Sequence, residues 1–140
     1  MQKTISFLIK GLYRDFYRYA TAELKELGVS YGQLPFLLYI GKHPSTSQGA
    51  LKKATQADWG HAKRSVDRLI EAGFVERFCD PTDKRRSLLL LSPKGEDAYR
   101  FCHELFHRWD EAHLGALNEE EEAQLLRLLE KIAGKGEPEQ

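Results

Sequence analysis

The 140-residue sequence has few cysteines, no long apolar run and no net charge. Its two cysteines, Cys79 and Cys102, are too few for a disulfide framework, which indicates a reducing compartment. Every apolar run is far too short to span a membrane, and the N-terminus lacks the layout of a signal peptide. These absences predict a single cytoplasmic globular domain with a modest core.

The zero net charge hides an uneven distribution of charged residues along the chain. Residues 42–95 hold 11 lysines and arginines against 6 aspartates and glutamates, whereas residues 96–140 hold 5 against 12. A basic middle region followed by an acidic C-terminal third suggests that only the middle of the chain approaches a polyanion such as nucleic acid.

Apolar periodicity predicts two helices in the first 40 residues. Over residues 4–27, apolar side chains recur every three or four positions, which is the spacing of one helix face. Ser30 and Gln33 form a capping box that opens a second helix, which continues to about residue 40. Pro35 lies inside this second helix, where we expect one missing hydrogen bond and a slight bend.

Two shorter helices are predicted in the basic middle region. Thr46 or Ser47 can cap the first, and Asp58 can cap the second, which covers residues 59–72. A helix that enters the DNA major groove needs small or hydrogen-bonding residues in its N-terminal half. Residues that meet this need are Gly60, His61, Lys63 and Arg64, and of these Gly60, His61 and Arg64 lie opposite the apolar side of the second helix.

A basic hairpin follows these helices. Residues 74–79 and 87–91 are short and rich in aromatic or aliphatic side chains, which predicts two strands, and residues 80–83 have turn chemistry. Three consecutive cations lie near the connection: Lys84, Arg85 and Arg86.

The C-terminal third predicts two further helices. After Pro93, an apolar seam at alternating spacings of three and four residues describes a long helix that continues to Ala116. Asn118 caps a last helix, whose first turn carries Glu119–Glu122 and so complements the helix dipole. Residues 135–140 are predicted to be a disordered tail.

The order of short helix, turn, second helix and basic hairpin is that of a winged helix-turn-helix. The stretch SQGALKKATQADWGHAKRSVDRLIEAGFVERFCDPTDKRRSLLLLSPKG, at residues 47–95, resembles the DNA-binding core of the MarR family of bacterial regulators. The resemblance is strongest in the wing, DPTDKRRSLLLLSPKG. The predicted fold class is therefore mainly α, a winged helix-turn-helix with a two-stranded wing plus N- and C-terminal dimerisation helices.

The resemblance implies a dimeric, sequence-specific transcriptional regulator, and we expect a repressor released by an effector. Residues 1–29 and 93–134 would form the helical dimerisation region, and residues 30–92 the winged DNA-binding domain. The implied partners are a second copy of the chain, a pseudo-palindromic double-stranded operator, and a small aromatic or lipophilic effector. No membrane, cofactor or catalytic residue is implied.

The resemblance also implies roles for individual residues. Asp83 would orient Arg85, whose guanidinium would enter the minor groove while Lys84 and Arg86 contact the DNA backbone. Trp59 departs from the family pattern, and it either contacts DNA or packs against the protein. The complete predicted DNA-binding set is Ser47, Gln48, Trp59, Gly60, His61, Lys63, Arg64, Arg68, Asp83, Lys84, Arg85 and Arg86.

One motif points to a different chemistry. Residues 103–107 read H-E-x-x-H, which on a helix can bind zinc with the glutamate as general base, and His113 falls at the metzincin spacing. However, Asp110 replaces the glycine that ends the metzincin helix, and the only methionine is Met1, so no Met-turn exists. We predict no metal site and no enzyme. A zinc sensor using His103 and His107, a thiol sensor using the two cysteines, and a small metallopeptidase stay open as alternatives.

Overall fold

A computed structural model describes residues 3–134, which form mainly helices and one small antiparallel sheet. The mainly α prediction is confirmed. The described residues fall into two compact units, one ending at Phe106 and the other beginning at His107. The elements are α1 (Ile5–Leu27), a 3-10 turn (Tyr31–Gln33), α2 (Leu34–Lys42), β1 (Thr46–Ser47), α3 (Gln48–Thr55), α4 (Trp59–Glu71), β2 (Val75–Asp80), β3 (Asp83–Leu91), α5 (Pro93–His113) and α6 (Glu119–Ala133).

Helix α1 has clear sequence signals at both ends. The Thr4 side chain caps its start by accepting a hydrogen bond from the backbone N–H of Phe7. Gly28 ends it with a positive φ of 83°, a conformation that costs glycine no steric strain. Within α1, only Ala20 and Leu24 are fully buried, so most of its apolar side chains are left exposed.

The start of α2 corrects the expectation for Pro35. The predicted capping box forms, with Ser30 and Gln33 satisfying each other's backbone N–H groups, but it opens a 3-10 turn first. The α-helix begins only at Leu34, which places Pro35 in its first turn. A backbone N–H in the first turn of an α-helix has no partner within the helix, so the helix loses no hydrogen bond through Pro35. The predicted loss of a hydrogen bond was wrong.

The sheet has three strands in the order β1-β3-β2, all antiparallel. The sequence predicted the hairpin of β2 and β3 but not β1, because two residues are too short to show alternation. Strand β3 also begins at Asp83, four residues before the predicted start, so the three wing cations lie in a strand.

The core of the first unit lies between the helices and the inner face of this sheet. Helix α4 contributes Ala62, Val66 and Leu69 to this core, whereas Ile70 is only half-buried. The largest fully buried side chains are Leu24, Phe36, Leu37, Ile40, Leu51, Val66, Leu69, Val75, Leu89, Cys102 and Leu105.

The second unit contains the end of α5 and all of α6. Helix α5 ends at His113, before the predicted end at Ala116, because residues 114–117 form a turn. Asn118 and Glu121 form a capping box at the start of α6. Across residues 3–134, no helix is long and apolar enough to cross a membrane. The predicted disordered tail, residues 135–140, lies outside the described residues.

Candidate nucleic-acid interface

Helix α4 presents a polar face because its opposite face is anchored in the core. Asp58 caps its start, accepting a hydrogen bond of 2.8 Å from the backbone N–H of His61. This bond is the main reason that the pKa of Asp58 lies below its ordinary value, and the charge of Arg64 contributes as well. The predicted helix and its cap are therefore confirmed, and the carboxylate supports the first turn of the helix.

Gly60 leaves room for the guanidinium of Arg64. A Cβ at Gly60 would lie 3.1 Å from Nη1 of Arg64 and 3.4 Å from Oδ1 of Asp58. The Arg64 side chain therefore extends back toward the start of α4 and remains exposed. The Arg64 guanidinium therefore lies near the N-terminal half of α4. In a helix that lies in the major groove, this half makes the contacts with bases.

Trp59 and His61 lie on different sides of the start of α4. The Trp59 side chain is 53% exposed, so the alternative that it packs into the protein was wrong. His61 is half-buried, and its ring meets the buried ring of Phe36 edge-on at a centroid distance of 5.4 Å. The expectation that His61 lies opposite the apolar side was therefore only partly right: it lies at the border between core and solvent.

An ion-pair network joins α4 to the sheet and to α3. Asp67 on α4 accepts hydrogen bonds from Nζ of Lys63 at 2.9 Å and from Nη2 of Arg77 on β2 at 3.2 Å. The same Nη2 donates to Oε1 of Gln48 on α3 at 3.0 Å. Both partners lower the pKa of Asp67, Lys63 more strongly. The network joins α4, which carries six of the twelve predicted residues, to α3 and to the strand that pairs with β3.

At the wing, Asp83 contacts Arg85 in two ways. Its Oδ1 accepts a hydrogen bond of 3.1 Å from the backbone N–H of Arg85 and lies 3.6 Å from Nε of the same residue. The Arg85 side chain is nevertheless 94% exposed. Asp83 thus contacts Arg85 at its backbone N–H and at Nε, while the rest of the guanidinium is open to solvent.

The turn between the wing strands is organised by Asp80. Oδ1 of this carboxylate accepts hydrogen bonds from both the backbone N–H and the hydroxyl of Thr82, and Oδ2 lies 3.8 Å from Nε of Arg86. The bonds from Thr82 hold the pKa of Asp80 below its ordinary value. Arg86 therefore has an acidic neighbour, which was not part of the prediction that it contacts the DNA backbone.

The remaining predicted residues occupy three positions. Ser47 caps α3 by accepting a hydrogen bond of 3.1 Å from the backbone N–H of Ala50, so its hydroxyl already has an intramolecular partner. Arg68 is exposed on α4, and Lys84 is exposed on β3. Neither cation is in the Asp67 network.

Side-chain hydrogen bonds form a junction between the end of α4 and the start of α5. The Ser92 hydroxyl donates to the carbonyl oxygen of Gly73 and accepts from the backbone N–H of Gly95. Nζ of Lys94 donates to the carbonyl oxygen of Ala72 at 2.7 Å. The start of α5 is therefore hydrogen-bonded directly to the residues that follow α4.

Sequence reasoning missed the positioning roles of Asp67, Asp80 and Lys94. The partners of Arg77, which are Asp67 and Gln48, were missed as well. The i, i+4 spacing of Lys63 and Asp67 was a readable signal for an ion pair. The other contacts join elements far apart in the chain, and spacing along one element does not reveal them.

The structure bears on the zinc and thiol alternatives at several residues, and of the two cysteines Cys79 is exposed whereas Cys102 is buried. Among residues 3–134, no group of three or more His, Cys, Asp and Glu side chains could hold a metal ion. His113 stacks on Trp109 at a centroid distance of 4.2 Å. Cys102 is buried, and desolvation raises its pKa to about 11, which disfavours the reactive thiolate.

Comparison with known proteins identifies the family. The MarR family model matches residues 29–87. The HTH-type transcriptional regulator BilQ of Clostridium symbiosum is 42% identical over 94% of this chain and 92% of its own length. This chain belongs to the MarR family. Members of this family are transcriptional regulators rather than enzymes. This protein is therefore a DNA-binding transcriptional regulator. The predictions of the family and of no enzymatic activity are confirmed.

Solved MarR structures confirm the winged-helix fold. The reduced form of MarR from E. coli superposes with a TM-score of 0.81 at 28% identity, covering 95% of this chain and 98% of that one. A mutant MarR from E. coli complexed with operator DNA superposes with a TM-score of 0.77 at 29% identity, covering 92% and 93%. The predicted fold class, with its wing and flanking helices, is confirmed, with β1 as an additional strand.

Proposed function

We propose that this MarR-family protein is a homodimeric repressor that binds a pseudo-palindromic operator and is released by a small effector. In each protomer, α4 enters the major groove while Arg85 of the wing enters the adjacent minor groove. Because a transcriptional regulator acts where the DNA is, we place the protein in the cytoplasm. Residues 30–92 form the DNA-binding domain in this proposal, and residues 1–29 and 93–134 form the dimerisation region.

The observation that supports DNA binding most directly is that the Arg85 side chain is exposed while the Asp83 carboxylate contacts both its backbone N–H and its Nε. Cations on α4 add a second positive surface to the same compact unit, with Arg64 near the helix start. Phosphates attract such cations without regard to sequence, whereas base edges and groove shape provide specificity. Ser47 and Gln48 have intramolecular partners, so we expect them to position α3 as well as to approach phosphates.

Exposed apolar side chains on the first and last helices support the dimer. Single exposed apolar residues are common, but rows of them on one helix indicate a protein interface. On α1 these are Ile5, Phe7, Leu8, Ile9, Leu12, Tyr13 and Tyr17. On α6 they are Leu125, Leu126, Leu128, Leu129 and Ile132. A second copy of the chain is the occupant that we propose for both rows.

We place the aromatic effector beside Tyr17 on α1. The surface there is shallow and open to solvent, and Arg14, Arg18 and Lys25 of the same helix lie around it. The Tyr17 ring also contacts Tyr31 at a centroid distance of 4.7 Å. An aromatic ligand could stack there, and the cations favour one with a negative charge. Phe36 is fully buried, so it is unsuited to ligand contact.

Release by an effector follows from the geometry of a twofold dimer. Two recognition helices fit one face of DNA only when they are spaced by about 34 Å, one turn of the double helix. A ligand that binds better to a dimer with another spacing shifts the population away from the DNA-binding form. The ligand need not touch DNA.

The test begins with selection of bound sequences from random DNA by the purified full-length protein. Its affinity for the selected operator is then measured by fluorescence anisotropy at several salt concentrations, and its mass by analytical ultracentrifugation. We expect a dimer, a pseudo-palindromic consensus and an affinity that falls steeply with salt, because phosphate contacts release counterions. A monomer, or an affinity that does not depend on salt, would contradict the proposal.

A further inference from the structure

Trp59 is exposed at a place where the surrounding surface is polar. Of the large apolar side chains in residues 30–92, all of which the structure describes, two are exposed: Trp59 at 53% and Phe78 at 37%. The other exposed large apolar side chains of residues 3–134 lie on α1, α5 and α6. The proposed dimer interface can account for those on α1 and α6 but not for Trp59.

The position of Trp59 brings it to the part of α4 that would enter the groove. It is the first residue of the helix, directly after the capping residue Asp58. One helical turn later on the same flank is Lys63, and the next residue, Gly60, has no side chain. A helix start that combines a bare backbone with nearby cations can approach DNA closely, and the N-terminal residues of recognition helices make the base contacts.

The chemistry of the indole ring decides which base feature suits it. The side chain offers a large apolar surface and a single N–H donor, and it has no acceptor. In the major groove, base edges present polar donors and acceptors, with one apolar group, the 5-methyl of thymine. Burial of a methyl group against an apolar ring removes both from water, which favours thymine over every base without that group.

We infer that Trp59 is a specificity-determining residue that packs its ring on the 5-methyl group of a thymine in each half-site. This inference rests on the proposed function, because it needs α4 to lie in the major groove. It goes further by naming the base feature that is read and the residue that reads it. Trp59 would provide discrimination, while the cations of α4 and of the wing provide most of the affinity.

The experiment replaces thymine by uracil, which removes the methyl group and leaves the base-pairing edge unchanged. Each thymine of the selected operator is replaced in turn, and affinity is measured for the wild type, Trp59→Ala and Phe78→Ala. For the wild type we expect uracil at one position of each half-site to weaken binding roughly fourfold, the equivalent of one buried methyl group. For Trp59→Ala we expect no further loss at that position. Phe78→Ala should retain the wild-type response.

The possible results separate this inference from the proposed function. If uracil weakens the wild type and Trp59→Ala equally at every position, or weakens neither, the inference is wrong while operator binding stands. If the wild type shows no salt-dependent binding to any selected DNA, the proposed function fails and the inference fails with it. Because Trp59 is exposed, the alanine variant should fold, and its melting temperature checks this.

Discussion

The carboxylate of Asp83 accepts a hydrogen bond from the backbone N–H of Arg85 and also lies 3.6 Å from the Nε of that residue. The two contacts limit how the arginine leaves the strand, although its side chain remains 94% exposed. Preorganisation of this kind reduces the entropy that is lost when a side chain is fixed on binding. The wing therefore presents a cation whose direction is already restricted before DNA arrives.

We expect Arg85→Ala to weaken operator binding by about 1–3 kcal/mol and to reduce the slope of log affinity against log salt by about one unit. The reason is the loss of one cation from the minor groove. Fluorescence anisotropy across a salt series measures both quantities. Arg100→Ala is the matched control, because Arg100 is an exposed arginine on α5 that pairs with Asp97. Equal effects of the two substitutions would remove the wing from the DNA interface.

The positioning role of Asp83 is tested by a double-mutant cycle. Asp83→Asn alone should weaken operator binding less than Arg85→Ala does, because the amide retains a polar contact but loses the charge. In the Arg85→Ala background, the same change should have almost no effect, since the group that Asp83 orients is gone. A loss from Asp83→Asn that is the same in both backgrounds would show that Asp83 acts independently of Arg85.

The ion-pair network of α4 predicts a pH-dependent stability. Hydrogen bonds from Lys63 and Arg77 lower the pKa of Asp67, so the folded state holds the ionised carboxylate more firmly than the unfolded state does. The stabilisation is therefore present above the unfolded pKa of about 3.9, and it is lost as the pH falls through the lower folded value. Asp67→Asn should reduce the free energy of unfolding at neutral pH, by less than about 1 kcal/mol because the groups are partly exposed.

Urea denaturation at pH 7 and below pH 4 measures this effect. The difference between Asp67→Asn and the wild type should shrink as the pH falls. Asp97→Asn is a suitable control, since Asp97 pairs with Arg100 within a single helix and joins no separate elements. A deficit of Asp67→Asn that stays constant down to the acid limit would contradict the role given to the charge.

The junction at the start of α5 predicts a severe effect of a very small change. A Cβ at Gly95 would overlap the backbone carbonyl of Phe74, which cannot move as a flexible side chain could. Gly95→Ala should destabilise the protein by about 1–3 kcal/mol or more, as overpacked sites do. Gly49→Ala is the control, because a Cβ at Gly49 would have no atom within 4 Å. Thermal unfolding at equal protein concentration compares them, and equal melting temperatures would contradict the account.

Local signals in the sequence predicted most of the fold. Helices α3, α4 and α6 have the predicted capping residues, as at Asp58 and Asn118, because capping depends on residues within one turn. The wrong expectation for Pro35 arose because the pattern does not tell a 3-10 turn from the first turn of an α-helix. The strand at Thr46–Ser47 was missed because its pairing with β3 is determined by tertiary contact.

The candidate site was only partly predictable for a similar reason. Residue type and spacing identified the cations of the site, and the family resemblance implied that Asp83 orients Arg85. The shared contact of Arg77 with Asp67 and Gln48 depends on how three elements pack, which no spacing along the chain encodes. The half-buried place of His61 likewise depends on Phe36, which belongs to another helix.

The central claim, that a twofold dimer places one α4 and one wing on each half of an operator, is tested most directly by changing the spacing of the half-sites. Five base pairs inserted at the operator centre rotate one half-site by about half a turn of DNA while leaving every base contact available. We predict that affinity falls to the level for random DNA of the same length. Affinity equal to that for the unmodified operator would contradict the claim.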